Sequence, residues 1–281
     1  MEEINLKNKL VWILLLMFFI LLFVVFYSAD KQDEAIIKME TNDKEETERI
    51  GWITDLHADK NEIVEINDSD IIYSSVYKEY LPTFFEKMQS KNIKTIVVTG
   101  DMTNDGESEQ AENLKKIADN YDLKVLWVRG NHDRENTRTM EHFNIESPYY
   151  YFFDTKKTRI IILNLTDEEN KPDEKQLLWL KERLTETNLN IIIAMHIPII
   201  DYDKEILLSK FEELEIILRE SGKVKIVISG SLHKEKDFFL NGIQYKTVFP
   251  FTLKDHEGSY YVIEANNGKY EVKNFKLDKI K

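Results

Sequence analysis

Five short apolar runs, rich in isoleucine and valine, recur along the chain and are separated by longer polar stretches. They cover residues 50–54, 95–99, 125–128, 191–195 and 224–229. Runs of this length without polar alternation are typical of strands that are buried on both faces of a sheet. The pattern therefore predicts five buried strands.

Between or beside these runs, four segments carry apolar residues at helical spacing with charged residues opposite, namely 80–90, 108–119, 173–186 and 203–221. Two pairs of runs predict hairpins, 149–154 with 159–163 and 260–264 with 270–275; the second pair turns at Asn266-Asn267-Gly268. Strands that alternate with helices, followed by hairpins, predict an α/β (α+β) fold of two packed sheets flanked by helices.

The N-terminal region carries a different pattern. Residues 10–27 are uncharged and apolar or aromatic throughout, which is close to the roughly 20 residues that a membrane-spanning helix needs. A core helix of a domain this size normally has a polar face, and this run has none. A cleaved signal peptide is the competing interpretation, but Tyr27 is bulky for its cleavage site. We expect an N-terminal tail at 1–9 and an uncleaved transmembrane anchor at 10–27.

Residues 28–48 are rich in Asp, Glu, Lys and Thr and show little apolar periodicity, which predicts a charged, solvated linker before a domain at 49–281. Lysines on both sides of the span leave its orientation undecided by charge. The short tail and the acidic stretch at 30–34 favour a single-pass protein of the cell membrane with an extracytoplasmic domain.

Composition removes several function classes. The chain has 38 Lys and Arg against 51 Asp and Glu, a formal net charge of -13, so it lacks the broad basic face that binding a nucleic-acid polymer requires. It contains no cysteine, which excludes disulfides, thiolate metal sites and thiol nucleophiles. Any metal must therefore be held by nitrogen and oxygen atoms.

Each of the five apolar runs ends in a short segment that carries Asp, Asn or His, and ligands of open sheets bind where strands end. The segments are Asp55-Leu56-His57, Gly100-Asp101, Gly130-Asn131-His132-Asp133, His196 and Gly230-Ser231-Leu232-His233. In an extended segment, alternate residues project to the same side, so Asp55 and His57 are expected to reach one ion. One such segment is unspecific, whereas five in succession indicate a metal site.

In this order the segments resemble the signature of the calcineurin-like metallophosphoesterases: Asp-x-His, Gly-Asp, Gly-Asn-His-Asp, His and Gly-His-x-His. The resemblance covers residues 49 to about 275. It implies a four-layer αββα sandwich of two mixed sheets between helices. It also implies two metal ions, with His132 facing the ester. One ion would be held by Asp55, His57, Asp101 and His233, and the other by Asp101, Asn131 and His196.

Carboxylates and imidazoles together suit divalent manganese, iron or zinc. Two such ions, about 4 Å apart, can clamp a phosphoryl group and deprotonate a bridging water, which gives a hydroxide nucleophile. His132 would then donate a proton to the leaving oxygen or stabilise the phosphate charge, and Asp133 would orient its ring or cap a turn. The expected substrate is a phosphomonoester or a small phosphodiester.

The Gly-Asn-His-Asp form and the loop at 100–106 resemble the cyclic-nucleotide phosphodiesterase branch of the family. The connections 58–80 and 134–149 lie beside the expected site, and long loops of this kind are expected to set substrate selectivity.

Ser231 departs from the signature because it stands where the family has the first histidine of the last motif. A serine hydroxyl is a poor ligand for these ions, although an extended loop would point Ser231 toward the same cluster as His233. Three outcomes are consistent with this change: a weakly bound second ion, an enzyme that works with one ion, or a membrane-tethered protein that binds a phosphorylated ligand without turning it over.

Overall fold

A computed structural model of the chain describes residues 47–61, 63–65, 70–134, 138–166 and 171–278. The chain divides into the units Met1–Glu46 and Thr47–Lys281, and the second contains every described residue. The expected tail, the expected anchor at 10–27 and nearly all of the expected linker lie outside the described residues. Among those residues, none of the helices combines the length and the apolar character that crossing a membrane requires.

Helices separate single strands or short groups of strands up to β11, and the last five elements are all strands. The strands are β1 (Glu48–Ile53), β2 (Val64–Glu65), β3 (Ile71–Ile72), β4 (Thr95–Val98), β5 (Lys124–Trp127), β6 (Tyr151–Asp154), β7 (Thr158–Ile162), β8 (Asn190–Ala194), β9 (Ile200–Asp201), β10 (Ile206–Leu207), β11 (Val224–Ser229), β12 (Lys236–Leu240), β13 (Ile243–Thr247), β14 (Ser259–Asn266) and β15 (Lys269–Lys276). The helices are α1 (Tyr77–Ser90), α2 (Ser108–Asp119), α3 (Arg138–His142), α4 (Glu174–Thr185) and α5 (Glu212–Glu220).

Two mixed sheets contain most of the strands. The first has the order β15-β14-β1-β4-β5, in which β1, β4 and β5 run parallel and β14 is antiparallel to both of its neighbours. The second has the order β12-β13-β11-β8-β7-β6, with a parallel centre and antiparallel strands at its edges. The prediction of a mixed α/β domain is confirmed.

Buried apolar side chains form three clusters that follow the two sheets. One cluster combines residues of both sheets, such as Trp52 of β1 and Ile192 of β8. A second lies between the first sheet and α1 and α2, where the ring of Phe84 packs against those of Phe251 and Tyr260. The third lies between the second sheet and α4 and α5, around Leu180 and Leu218. Buried clusters between the two sheets, and between each sheet and its helices, are those expected when two packed sheets lie between two layers of helices.

The five apolar runs form β1, β4, β5, β8 and β11, each within two residues of its expected bounds. The expected hairpins are β6 with β7 and β14 with β15. A third hairpin, β12 with β13, was not predicted, although its turn at Asn241-Gly242, with φ values of 52° and 82°, is a strong hairpin signal.

The helix expected at 203–221 is wrong in its first half. Only Glu212–Glu220 is α-helical; the residues before it form the small sheet of β9 and β10 and the short turn Ser209–Phe211. The side chain of Asp201 accepts a hydrogen bond from the Lys204 backbone N–H at 3.1 Å, and Glu205 is left-handed with φ of 55°. Such local side-chain bonds close a turn in competition with helix formation.

Candidate metal centre

The predicted ligands come together where the central strands of both sheets end. In one half of the cluster, His57 Nε2 lies 3.9 Å from Asp55 Oδ1 and 3.7 Å from Asp101 Oδ2, and His233 Nε2 lies 3.5 Å from Asp55 Oδ1. Asp55, His57 and His233 offer atoms close enough to hold one ion. Carboxylates and imidazoles at such distances are suitable for a divalent transition metal.

In the other half, His196 Nε2 lies 3.1 Å from Asp101 Oδ2 and 2.9 Å from Asn131 Oδ1. Asp101 therefore takes part in both halves through the same oxygen, Oδ2. Its other oxygen, Oδ1, accepts the backbone N–H of His132 at 2.9 Å. The Asp101 carboxylate is therefore available to a metal ion in either half of the cluster.

Burial and mutual attraction set the protonation of the cluster. Burial lowers the pKa of His57 to about 4, in spite of the carboxylates of Asp101 and Asp55. Burial opposes protonation of His196 as well, but the adjacent Asp101 carboxylate outweighs it and raises the pKa of His196 to about 10. Burial alone would raise the pKa of Asp101, but the neighbouring histidines hold it well below its usual range. The cluster keeps Asp101 anionic.

The burial and hydrogen bonding of His57 show whether these residues suit a metal ion. Its ring is 0% exposed, and neither Nδ1 nor Nε2 has a hydrogen-bond partner among the residues that the structure describes. Buried polar atoms without a partner cost free energy. A divalent ion on His57 would satisfy one of these nitrogens, so the ring fits a role as ligand.

The loop after β1 reaches the cluster differently from the expectation. Asp55 and His57 have φ values of 51° and 42°, so they lie in a left-handed loop and not in an extended segment. Hydrogen bonds from Asp55 N to Gly100 O at 3.1 Å and from His57 N to Asp101 O at 2.8 Å fasten this loop to the loop after β4. Backbone pairing, and not strand alternation, brings the two side chains to the cluster.

Two of the histidines are oriented by a contact to Nδ1, the ring nitrogen that does not face the cluster. His196 Nδ1 donates to the carbonyl of Thr99 at 2.8 Å, which turns Nε2 toward Asp101. His233 Nδ1 contacts Asp70 Oδ2 at 3.0 Å, which turns Nε2 toward Asp55. Histidines that bind metals usually have such a partner on the second nitrogen. The sequence analysis missed Asp70, and no motif marks it.

His132 and Asp133 have separate tasks. His132 Nδ1 donates to the carbonyl of Asn104, and its ring lies edge-on to that of His57 with centroids 4.8 Å apart. Asp133 instead accepts the backbone N–H groups of Thr103 and Gly130, both at 2.9 Å. Burial, together with the charge of Asp101, raises the pKa of Asp133 to about 6. Of the two roles considered for Asp133, these contacts with backbone N–H groups match the cap of a turn, and they anchor the loop after β5 to the loop after β4.

Two glycines let the loops approach closely. A Cβ atom on Gly130 would collide with the carboxylate and the backbone nitrogen of Asp101. On Gly230 it would collide with the Thr54 hydroxyl and come within 2.7 Å of Asp55 Oδ2. Only glycine permits this approach, so both glycines are part of the packing of the site.

The loop that contains Ser231 is not extended, so the condition under which strand alternation would point Ser231 at the cluster is not met. Ser231 and His233 have φ values of 63° and 56°, and Leu232 N donates to Gly230 O at 2.7 Å. Ser231 contributes through its backbone: its N–H lies 3.2 Å and 3.3 Å from the two carboxylate oxygens of Asp55. The substitution of histidine by serine therefore leaves the loop attached to Asp55.

The chain is similar to known proteins in sequence and in fold. A "probable cyclic nucleotide phosphodiesterase" of Vesicomyosocius okutanii is 22% identical over 204 residues, 68% of this chain and 86% of the relative. Another protein of that description, from Ruthia magnifica, is 24% identical over 205 residues with the same two shares. A dimetal phosphatase from Danio rerio has a similar fold, with a TM-score of 0.62, 17% identity, and coverage of 82% of this chain and 99% of that one.

The calcineurin-like phosphoesterase family matches residues 48–235, which is more than half of the chain. These residues include every predicted ligand, from Asp55 to His233. The chain therefore belongs to the calcineurin-like phosphoesterase family and is a hydrolase that acts on phosphate ester bonds.

Proposed function

We propose that the domain hydrolyses a phosphomonoester or a small phosphodiester at a two-ion centre. Asp55, His57, Asp101 and His233 would hold one ion, and Asp101, Asn131 and His196 the other. The observation that carries this proposal is the position of Asp101 Oδ2, 3.7 Å from His57 Nε2 and 3.1 Å from His196 Nε2.

Manganese, iron or zinc ions bound there would supply Lewis acidity and lower the pKa of an attacking water. In this proposal His132 acts on the ester. Its Nδ1 is taken up by the Asn104 carbonyl, so Nε2 is the ring nitrogen that would donate to the leaving oxygen or bind the phosphate.

The range of substrates follows from charge and from the relatives. A formal charge of -13 disfavours long polyanions such as DNA and RNA. The two curated relatives described as probable cyclic nucleotide phosphodiesterases support a small phosphodiester as one substrate type.

An assay with a generic aryl phosphate and the corresponding diaryl phosphate tests the proposal. Protein stripped of metal with a chelator should be inactive on both esters, and added manganese should restore turnover of at least one. Full activity after chelation would contradict the metal mechanism.

Ser231 supports a second candidate, a membrane-tethered protein that binds a phosphorylated ligand and turns it over poorly or not at all. The same assay distinguishes the hydrolase from the binding protein. The binding protein would bind phosphate esters in the presence of manganese without releasing phosphate.

We further propose that residues 10–27 anchor the protein in the lipid of the cell membrane as a single span, with the catalytic domain on the extracytoplasmic side. The apolar run supports this proposal. The intact chain should stay with membranes through a high-salt wash, removal of residues 1–29 should release it, and external protease should digest the domain in intact cells. A soluble mature protein that begins near Asp30 would show a cleaved signal peptide instead.

A further inference from the structure

Asp59 is a buried carboxylate beside the metal centre that lies outside the family signature. It follows the predicted ligand His57 by two residues and is 3% exposed. It belongs to none of the groups of described residues that could hold an ion. Its Oδ1 accepts the backbone N–H of Asn61 at 2.7 Å, and its Oδ2 accepts Nδ2 of Asn104 at 3.0 Å. A buried charge is costly unless hydrogen bonds of this kind compensate for the lost water.

Asn104 connects Asp59 to His132. The backbone N–H of Asn104 donates to the Ala58 carbonyl at 3.0 Å, and its own carbonyl accepts the Nδ1–H of His132. The side chain of Asn104 makes the third connection, to Asp59. One residue therefore joins the loops after β1, β4 and β5, and the hydrogen bond that orients His132 is made to that residue.

The Asn104 side chain is held in place by Asp59. Its Nδ2 donates to Asp59, while its Oδ1 is buried and has no hydrogen-bond partner among the described residues. Residues 104 and 105 form a bend, and Gly106 after them is left-handed with φ of 73°, so no helix or strand holds the Asn104 carbonyl. Without Asp59, Asn104 would be held through its backbone alone, and the carbonyl that accepts from His132 would be less firmly fixed.

We propose that Asp59 is a positioning residue for His132. Through the Asn104 amide it fixes the carbonyl that takes up His132 Nδ1, and so keeps His132 Nε2 directed at the ester. The inference rests on the proposed function, in which Nε2 donates to the leaving oxygen or binds the phosphate. Asp59 itself would touch neither the metal ions nor the substrate.

A double-mutant cycle separates positioning from a general role in folding. With the full chain, manganese and an aryl phosphate, Asp59→Ala should lower kcat/KM about tenfold, because a misdirected group loses part of an acid–base contribution of about 100-fold or more. His132→Ala should lower kcat/KM further. Asp59→Ala combined with His132→Ala should cost no more activity than His132→Ala alone, since no ring is left to orient.

Further variants locate the effect. Asn104→Ala keeps the carbonyl that accepts from His132 but removes the amide that Asp59 holds, so it should reproduce the loss seen in Asp59→Ala. It also remains informative if Asp59→Ala fails to fold. Glu107→Ala is the matched control, because the Glu107 carboxylate also joins the loops after β1 and β4, through Lys60 Nζ at 3.2 Å. It makes no hydrogen bond to Asn104 or His132, so its loss should leave kcat/KM at the wild-type value.

Imidazole NMR of the full chain loaded with zinc, which is diamagnetic, gives a measurement that needs no turnover. The His132 signals are identified by their absence in His132→Ala. At alkaline pH they should report a neutral ring with its hydrogen on Nδ1 in the wild type, because the partner of one ring nitrogen sets the tautomer. In Asp59→Ala they should shift toward the average of the two tautomers, and in Glu107→Ala they should not shift.

Additive losses in the cycle, or His132 signals that are the same in Asp59→Ala and the wild type, would overturn the inference. A wild-type protein without turnover, whose His132 signals nevertheless depend on Asp59, would contradict the proposed function and leave Asp59 as the residue that orients the ring. Turnover by the wild type, with kcat/KM and His132 signals unaffected by Asp59→Ala, would leave the proposed function standing and remove only this role of Asp59.

Discussion

The loop after β5, residues 128–133, and the loop after β11, residues 229–233, both bring predicted ligands to the candidate centre but are held there by different means. The β5 loop is fixed largely by its own signature residues: Asp133 accepts backbone N–H groups of the loop after β4, and the N–H of His132 donates to Asp101. The β11 loop is fixed by partners outside its motif. Asp55 accepts the Ser231 N–H, and Asp70 contacts His233.

This difference explains how a signature can lose a residue without losing its geometry. In the β5 loop, the predicted ligand Asn131 lies directly before the anchoring positions His132 and Asp133, so changes there are expected to disturb both. In the β11 loop, the contact of Ser231 with Asp55 comes from the backbone and does not depend on the side chain. Serine in place of histidine is therefore compatible with this backbone contact.

Asp101 contacts the β5 loop and both halves of the centre, so its replacement should have the largest effect. Asp101→Asn keeps the size of the side chain but removes the charge shared by His57 and His196. Because loss of an outer partner of a metal ligand already costs about 10- to 100-fold, we expect kcat/KM to fall by roughly 100-fold or more. Kinetics at several manganese concentrations and a denaturant titration measure both effects.

The free energy of unfolding should change far less than the activity in this variant, since the amide oxygen can still accept the His132 N–H. The exposed Asp122, changed to Asn, is the matched control and should behave like the wild type. Near-normal kcat/KM in Asp101→Asn would contradict the bridging role.

Asp133→Asn should instead act on stability, because it breaks the anchor of the β5 loop. The carboxylate accepts from Met102 N, Thr103 N, Thr103 Oγ1 and Gly130 N, whereas an amide offers one oxygen and turns an NH2 group toward the remaining donors. A buried unsatisfied donor costs about 1–3 kcal/mol, so we expect a loss of about 2–4 kcal/mol in the free energy of unfolding. An unfolding free energy equal to that of Asp122→Asn would show that Asp133 is not an anchor.

The β5 loop was also the easier of the two to predict from sequence. An amide, an imidazole and a carboxylate directly after an apolar strand indicate both a site and its position in the sheet. The structure places Asn131 beside His196 and His132 beside His57.

The five strands could be predicted because runs of Ile and Val buried on both faces allow few alternatives.

The geometry around the β11 loop could not be predicted in the same way. Left-handed φ values at Ser231 and His233 depend on pairing with distant loops, which strand alternation does not describe. Asp70 lies 163 positions from His233, and only the folded chain brings them together. The anchor at 10–27 remains a prediction, since it lies outside the described residues.

Asp70→Asn tests whether the β11 loop depends on this outside partner. The amide keeps the size but weakens the acceptor that orients the His233 ring, so the affinity of the first ion should fall by about tenfold. Asp70→Glu should recover part of that affinity if the carboxylate reaches the same nitrogen. Calorimetric metal titration gives the affinity, and unchanged binding in Asp70→Asn would show that His233 is oriented without Asp70.

Ser231→His should have the smallest effect, because it adds one ligand to a loop that is already in place. Histidine tolerates left-handed backbone better than most residues, and His233 adopts it in the same loop with φ of 56°. An added imidazole should raise the affinity of the second ion and, where that ion limits the rate, increase activity several-fold at low manganese.

The gain should disappear at saturating manganese, since both variant and wild type would then be fully loaded. Ser231→Asn is the matched control, because asparagine also accepts the left-handed conformation but supplies no imidazole. The metal-free wild type should show one tight and one weak ion in calorimetry. Two equally tight ions in the wild type, or equal responses of the histidine and asparagine variants, would contradict this prediction. Either result would mean that the second ion has a complete set of ligands without an imidazole at position 231, so that serine in the β11 loop does not weaken its binding.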